Sequence, residues 1–154
     1  MKIKWNSEKS LFLSRCLTIA TLILGIVSLF CIPVITEWYD AISGALNNEE
    51  PIHVVLNVVL YLSAILAIVA LWQLLIMLNR FAKQEVFIKE NAACLRLIAW
   101  CCFGVAAVWL ALTFWRFMAF FVAFIMAFAG LLVRVMKNML EAAIELREEN
   151  DFTI

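Results

Sequence analysis

Residues 92–133 form an apolar stretch that carries charge only at Arg96 and Arg116. As one straight helix it would run about 63 Å at about 1.5 Å per residue. The hydrocarbon core of a bilayer is only about 30 Å thick. The stretch must therefore fold back, and its one polar interruption near the middle is Thr113-Phe114-Trp115-Arg116. Neither Gly nor Pro stands there, so the hairpin has to be tight. Two more apolar runs precede it, at residues 16–35 and 54–78. The expected crossings are thus 16–35, 54–78, 97–114 and 117–133. The fold class they predict is all-α, an integral-membrane four-helix bundle whose short connections favour antiparallel neighbours.

The chain is 66% hydrophobic, against about 45–50% in a soluble domain. Four spans nearly exhaust it, so residues 1–154 are read as one membrane domain with no separate soluble part. The basic N-terminus also fits a signal peptide, but the first apolar run exceeds the roughly 7–15 residues of such a segment. We read it as an uncleaved anchor.

Charge is balanced overall and uneven in place. Lys2, Lys4, Lys9, Arg15, Arg80, Lys83, Lys89, Arg96, Arg134, Lys137 and Arg147 fall on one side of the spans, and Arg116 alone falls on the other. The positive-inside rule then predicts both termini in the cytoplasm. A net charge of zero argues against direct binding of nucleic acid. The opposite loop, residues 36–53, holds Glu37, Asp40, Glu49 and Glu50, with Trp38 and Tyr39 as interfacial aromatics. Within it, Asn47-Asn48-Glu49-Glu50-Pro51 reads as a turn. The loop after span two, from Asn79 to Glu90, is flanked by Phe81 and Phe87 and is expected along the membrane surface. Beyond Arg134, Val135, Met136, Met139, Leu140, Ala143 and Ile144 keep a 3.6-residue period. The fourth helix should therefore extend into the cytoplasm to about residue 148, with a Lys137–Glu141 pair on its polar side and a frayed acidic tail.

Ionisable groups are costly in hydrocarbon, and no Asp or Glu lies well inside a span. That weakens a proton-coupled transporter. A small transporter or channel subunit remains the alternative, and it would need a polar cavity around Asn57, Tyr61 and Gln73. The simpler role for Asn57 and Gln73 is interhelical hydrogen bonding, worth ~1 kcal/mol each. Rows of small residues (Thr21, Gly25 and Ser28; Ser63, Ala67 and Ala70; Gly104, Ala107 and Ala111; Ala119, Ala123, Ala127 and Gly130) suit close helix packing or a homo-oligomer. Arg96 and Arg134 stand where they can snorkel to lipid phosphates. With Arg80, Lys83 and Lys137 they also define a basic rim, and with Glu141 and Glu145 it is the candidate partner-binding surface.

No catalytic residue, metal site or cofactor is predicted, and the chain does not read as an enzyme. His53 is the one histidine and has no nearby nucleophile to form a triad. Zinc-protease and phosphate-loop motifs are missing. Cys16, Cys31, Cys94, Cys101 and Cys102 have no metal-ligand spacing and read as small apolar residues. Phe30 before Cys31 argues against lipidation there.

Leu74-Leu75, Asn79, Phe87, Asn91, Leu95-Arg96-Leu97-Ile98-Ala99-Trp100-Cys101, Arg134-Val135 and the ending Glu145 to Ile154 resemble the YoaS-like proteins, an uncharacterised four-helix membrane family of Gram-positive bacteria. The resemblance covers about residues 74–154. Phe152 replaces a commoner leucine, and the loop after span two lacks a glycine often found before its phenylalanine. The resemblance implies a bacterial plasma membrane. Because such genes often neighbour a small helix-turn-helix regulator, it also implies a cytoplasmic DNA-binding protein as partner.

Overall fold

The computed structural model describes residues 7–47 and 52–152, and those residues fold into four helices. They are α1 (Ser7–Asn47), α2 (His53–Ala82), α3 (Lys89–Leu112) and α4 (Ala119–Phe152). Each is long and apolar enough to cross a membrane. Lys2, Lys4, Glu49, Glu50 and most of the turn expected at 47–51 lie outside the described residues.

The helices overrun the apolar spans. The 41 residues of α1 make a rod about 60 Å long, roughly twice the hydrocarbon thickness. The loop expected from residue 36 is corrected: helix continues through Trp38, Tyr39 and Asp40 to Asn47. Pro33 lies inside α1 without ending it. It lacks an N–H, so the Leu29 carbonyl loses its usual donor, yet nothing beyond it forces a turn. Thr36 instead stays within the helix, its hydroxyl 3.1 Å from the Ile32 carbonyl and 2.9 Å from that of Pro33. At the other terminus α4 is helical to Phe152, past the point where fraying was expected.

The α2–α3 connection is built by its own hydrogen bonds. The amide of Glu85 donates to the Arg80 carbonyl at 3.1 Å and that of Gln84 to Phe81 at 3.0 Å. This is the six-to-one and five-to-two pattern of a Schellman ending. It requires a left-handed residue, and Gln84 takes it at φ 64° where a glycine is usual. Asn91 then clamps the loop from the first turn of α3. Its Nδ2 donates to the carbonyls of Glu85 at 2.8 Å and Val86 at 2.9 Å. The side chain is wholly buried, so no water substitutes for it. The α3–α4 hairpin runs from Thr113 through Met118 as successive turns, with Arg116 and Trp115 both donating backbone N–H to Leu112. That is where helix length alone required it.

Among the described residues, close helix contacts join only consecutive helices: α1 with α2, α2 with α3, and α3 with α4. The expected bundle is corrected to an open antiparallel row in which α1 and α4 do not meet. The helices are joined by small and polar groups. On α1 the buried residues are Thr18, Ile32, Thr36 and Ser43, while Phe30 is 80% exposed. The Trp109 indole N–H donates to Ser63 Oγ at 2.9 Å, and Ser63 passes its own proton to the Val59 carbonyl at 2.7 Å. At the hairpin end, Ile52, Val59, Leu112 and Ala119 form an apolar cluster. The small-residue rows are only partly used. Ala119, Ala123 and Gly130 are buried, but Ala67, Ala107 and Ala111 face outward.

Three stability measurements test this architecture, each by unfolding in detergent micelles followed by circular dichroism. A Cβ on Gly130 would meet Phe103 Cε1 at 3.1 Å and Cys102 Cβ at 3.2 Å. Gly130→Leu should therefore cost about 1–3 kcal/mol. A Cβ on Gly25 meets only Ile68 at 3.7 Å, so Gly25→Ala should gain up to about 1 kcal/mol in helix propensity. Gln84→Gly should stabilise the connection by roughly 0.5–1 kcal/mol, since it relieves the left-handed residue at some entropic cost.

Candidate functional site

Neighbouring helices run antiparallel, so the row has a basic end, with the α2–α3 connection, and an opposite end with Asp40 and Arg116. At the opposite end the first turn of α2 has no capping side chain of its own. Asp40 of α1 supplies the cap. Its Oδ1 accepts from the Ile52 amide at 3.2 Å, and its Oδ2 from the His53 amide at 2.7 Å. His53 Nδ1 lies 2.9 Å from the same Oδ2. A carboxylate at a helix N-terminus answers both the unpaired N–H groups and the helix dipole.

The intramembrane polar residues do not converge. Asn57 Oδ1 sits 2.8 Å from the Thr36 hydroxyl. Thr36 has one proton, and the Ile32 and Pro33 carbonyls compete for it. Turning the Asn57 amide so that its Nδ2 donates to Thr36 Oγ1 leaves the hydroxyl proton for one of those carbonyls. Thr36 is fully buried, so this is the glue expected of Asn57. Gln73 is 16 positions further along the same helix, about 24 Å away. Tyr61 is exposed.

The basic end gathers most of the charged candidates on α3 and α4. Arg96, Arg134, Lys137 and Asn138 line a cleft of about 130 Å³ between the two helices, with Ala99, Trp100 and Phe103 as its apolar wall. Trp100 and Phe103 meet edge to face with centroids 6.3 Å apart. Arg96 also borders a second cleft, lined by Lys89, Glu141, Ile144, Glu145 and Glu148. Lys137 pairs with Glu141, as expected. Among the described residues no carboxylate pairs with Arg96 or Arg134. Arg80 and Lys83 are not part of this group. The Arg80 guanidinium lies 3.6 Å from Cys94 Sγ. Residues 94 and 96 are about 200° apart around α3, so the basic rim is divided between two faces of that helix.

The extension of α4 is docked onto the α2–α3 connection. Ile144 is buried, Lys89 Nζ is 2.9 Å from Glu148 Oε1, and the Arg147 guanidinium stands 5.9 Å from the Phe87 ring centroid. An exposed ion pair adds little, whereas burial of an isoleucine is worth about 1.5–3 kcal/mol. Ile144 is therefore the main anchor. The other side of the extension stays open: Val135, Met139 and Leu146 are 54%, 68% and 62% exposed, and with Ala142 they lie at helical spacing on one stripe. Asp40 as a cap, Thr36 as a partner of Asn57, and Ala142 and Leu146 as part of the stripe escaped the sequence reading. The spacing of Val135, Met139, Ala142 and Leu146 was the available signal for the stripe.

Cys16 and Cys31 are exposed, Cys94 and Cys101 are buried, and all five cysteines are free. Among the described residues no three His, Cys, Asp or Glu side chains come together as a metal site needs.

A family model described as a protein of unknown function, DUF2975, matches residues 37–154. The chain belongs to this family. The matched part begins late in α1 and takes in α2, α3 and α4 whole, including both clefts and the docked extension. No curated protein and no solved structure matches the chain.

Asp40→Ala should destabilise the α1–α2 junction by about 1 kcal/mol, with Asp40→Asn between it and wild type. Faster hydrogen exchange at the Ile52 and His53 amides is the local readout, and equal exchange in all three proteins would contradict the cap.

Proposed function

We propose that this protein is a regulatory or scaffold protein of the bacterial plasma membrane, with both termini in the cytoplasm, and that it holds a cytoplasmic protein partner. The observation that carries this reading is the open apolar stripe on the α4 extension. α4 has 34 residues and is about 51 Å long, some 20 Å more than a bilayer core needs. Met139 and Leu146 lie about 30 and 40 Å along α4 from its start, at and beyond the end of such a core, where lipid tails no longer cover them. An apolar stripe flanked by Arg134 and Glu145 is the kind of surface onto which an amphipathic partner helix lays its own apolar face. The charge asymmetry supports the cytoplasmic orientation. The YoaS-like resemblance, which falls within the family match, supports a small helix-turn-helix regulator as that partner. The separation of Asn57 from Gln73 and the pairing of Asn57 with Thr36 favour this reading over a transporter or channel subunit.

Truncation after Arg134 would also remove Ile144 and its packing on the α3 start, so point substitutions are the cleaner test. Wild-type protein recovered in detergent from native membranes should bring down a small DNA-binding protein identifiable by mass spectrometry. Met139→Lys/Leu146→Lys should lose it by about tenfold or more while keeping the wild-type unfolding midpoint. Undiminished recovery with the double variant would overturn the proposal.

A further inference from the structure

We propose that the cleft between α3 and α4 at the basic end binds the phosphate of an anionic membrane phospholipid. Arg96 closes the apolar run of α3 and Arg134 closes that of α4. Both arginines stand at the mouth of one cleft of about 130 Å³, beside Lys137. In a membrane-spanning chain that boundary is the headgroup level. The cleft therefore presents its cations at the depth where lipid phosphates lie.

Three further features fit this ligand. Neither arginine has a carboxylate partner among the described residues, so both guanidinium forks are open for the paired N–H···O contacts that phosphate accepts. Lys137 is held by Glu141 one turn on, which leaves it near the site as a partly neutralised charge and keeps the cleft net positive. The wall continues as Trp100 and Phe103, one and two turns into the apolar part of α3. An acyl chain leaving the headgroup would run along those rings. The volume admits a phosphate group and is well below the roughly 300–1,000 Å³ of sites for drug-sized molecules. A free anion would satisfy the arginines but leave the aromatic wall unused, so the combination selects a lipid.

The site differs from the stripe of Val135, Met139 and Leu146 and does not depend on the proposed partner. A lipid wedged between α3 and α4 would add a hold on two helices already in close contact, as at Gly130 beside Cys102 and Phe103.

Native mass spectrometry of the full chain in detergent tests the assignment, with titrations of phosphatidylglycerol, phosphatidylcholine and inorganic phosphate. Phosphatidylglycerol should be retained at least about tenfold more tightly than phosphatidylcholine. Arg96→Gln/Arg134→Gln should remove that preference, Arg96→Lys/Arg134→Lys should restore part of it, and Lys83→Gln, outside the cleft, should leave it intact. Thermal melts check that each variant is folded, and the Lys pair tests the site should the Gln pair fail to fold. Equal retention of the two lipids, or an equal loss with Lys83→Gln, would overturn the proposal in favour of diffuse surface charge. Displacement of the lipid by millimolar inorganic phosphate would overturn it in favour of a free anion.

Discussion

The arrangement of this protein follows from a reversal of ordinary core packing. Large apolar side chains gain nothing by burial when the surroundings are as apolar as they are. Phe30, Val34, Phe114 and Phe124 accordingly point outward. The inward faces carry Thr18, Thr36, Ser43, Ser63 and the alanines Ala92, Ala99, Ala106, Ala119 and Ala123. Hydroxyl and amide groups have no water to turn to in hydrocarbon, so each must find a partner within the helix row. Thr36 with Asn57 and Ser63 with Trp109 meet that demand, and they fix the rotation of α1, α2 and α3 about their own axes.

From that rotation the basic end takes its shape. Once Trp109 is tied to Ser63 and Cys94 faces Arg80, Arg96 must lie on the far side of α3, toward α4. There it meets Arg134 and Lys137. Asn91 and the Schellman ending at Gln84 hold the loop that α4 crosses, and Ile144 holds the extension against it. The outward stripe of Val135, Met139 and Leu146 is what remains of an amphipathic helix after its other side is docked. The proposed lipid site and the proposed partner surface are thus two faces of one extension.

The row is open because its cohesion is local. Each helix is joined to the next by a short connection that has its own contacts: Asp40 with the start of α2, Asn91 with the α2–α3 loop, the turns from Thr113 to Met118. Among the described residues, α1 makes no close contact with α4. The exposed small residues Ala67, Ala107 and Ala111 show that a row of small side chains marks a face that permits close approach, without saying whether another helix takes it.

Much was legible in the sequence alone. The apolar stretch of residues 92–133 is too long for one crossing, and that length required a hairpin at its polar break. The count and antiparallel order of the helices, the gathering of charge at one end, the Lys137–Glu141 pair and the use of Asn57 as glue follow from helical period and from the cost of polar groups in hydrocarbon. What only the tertiary structure decided was which helices meet and how each is turned. Periodicity marks a face without naming its neighbour, so Thr36 as the partner of Asn57 stayed hidden. The cap of α2 was invisible because its carboxylate comes from another helix, 12 or 13 positions earlier. The basic rim looked continuous in sequence because a linear chain does not show that residues two apart on a helix face nearly opposite ways.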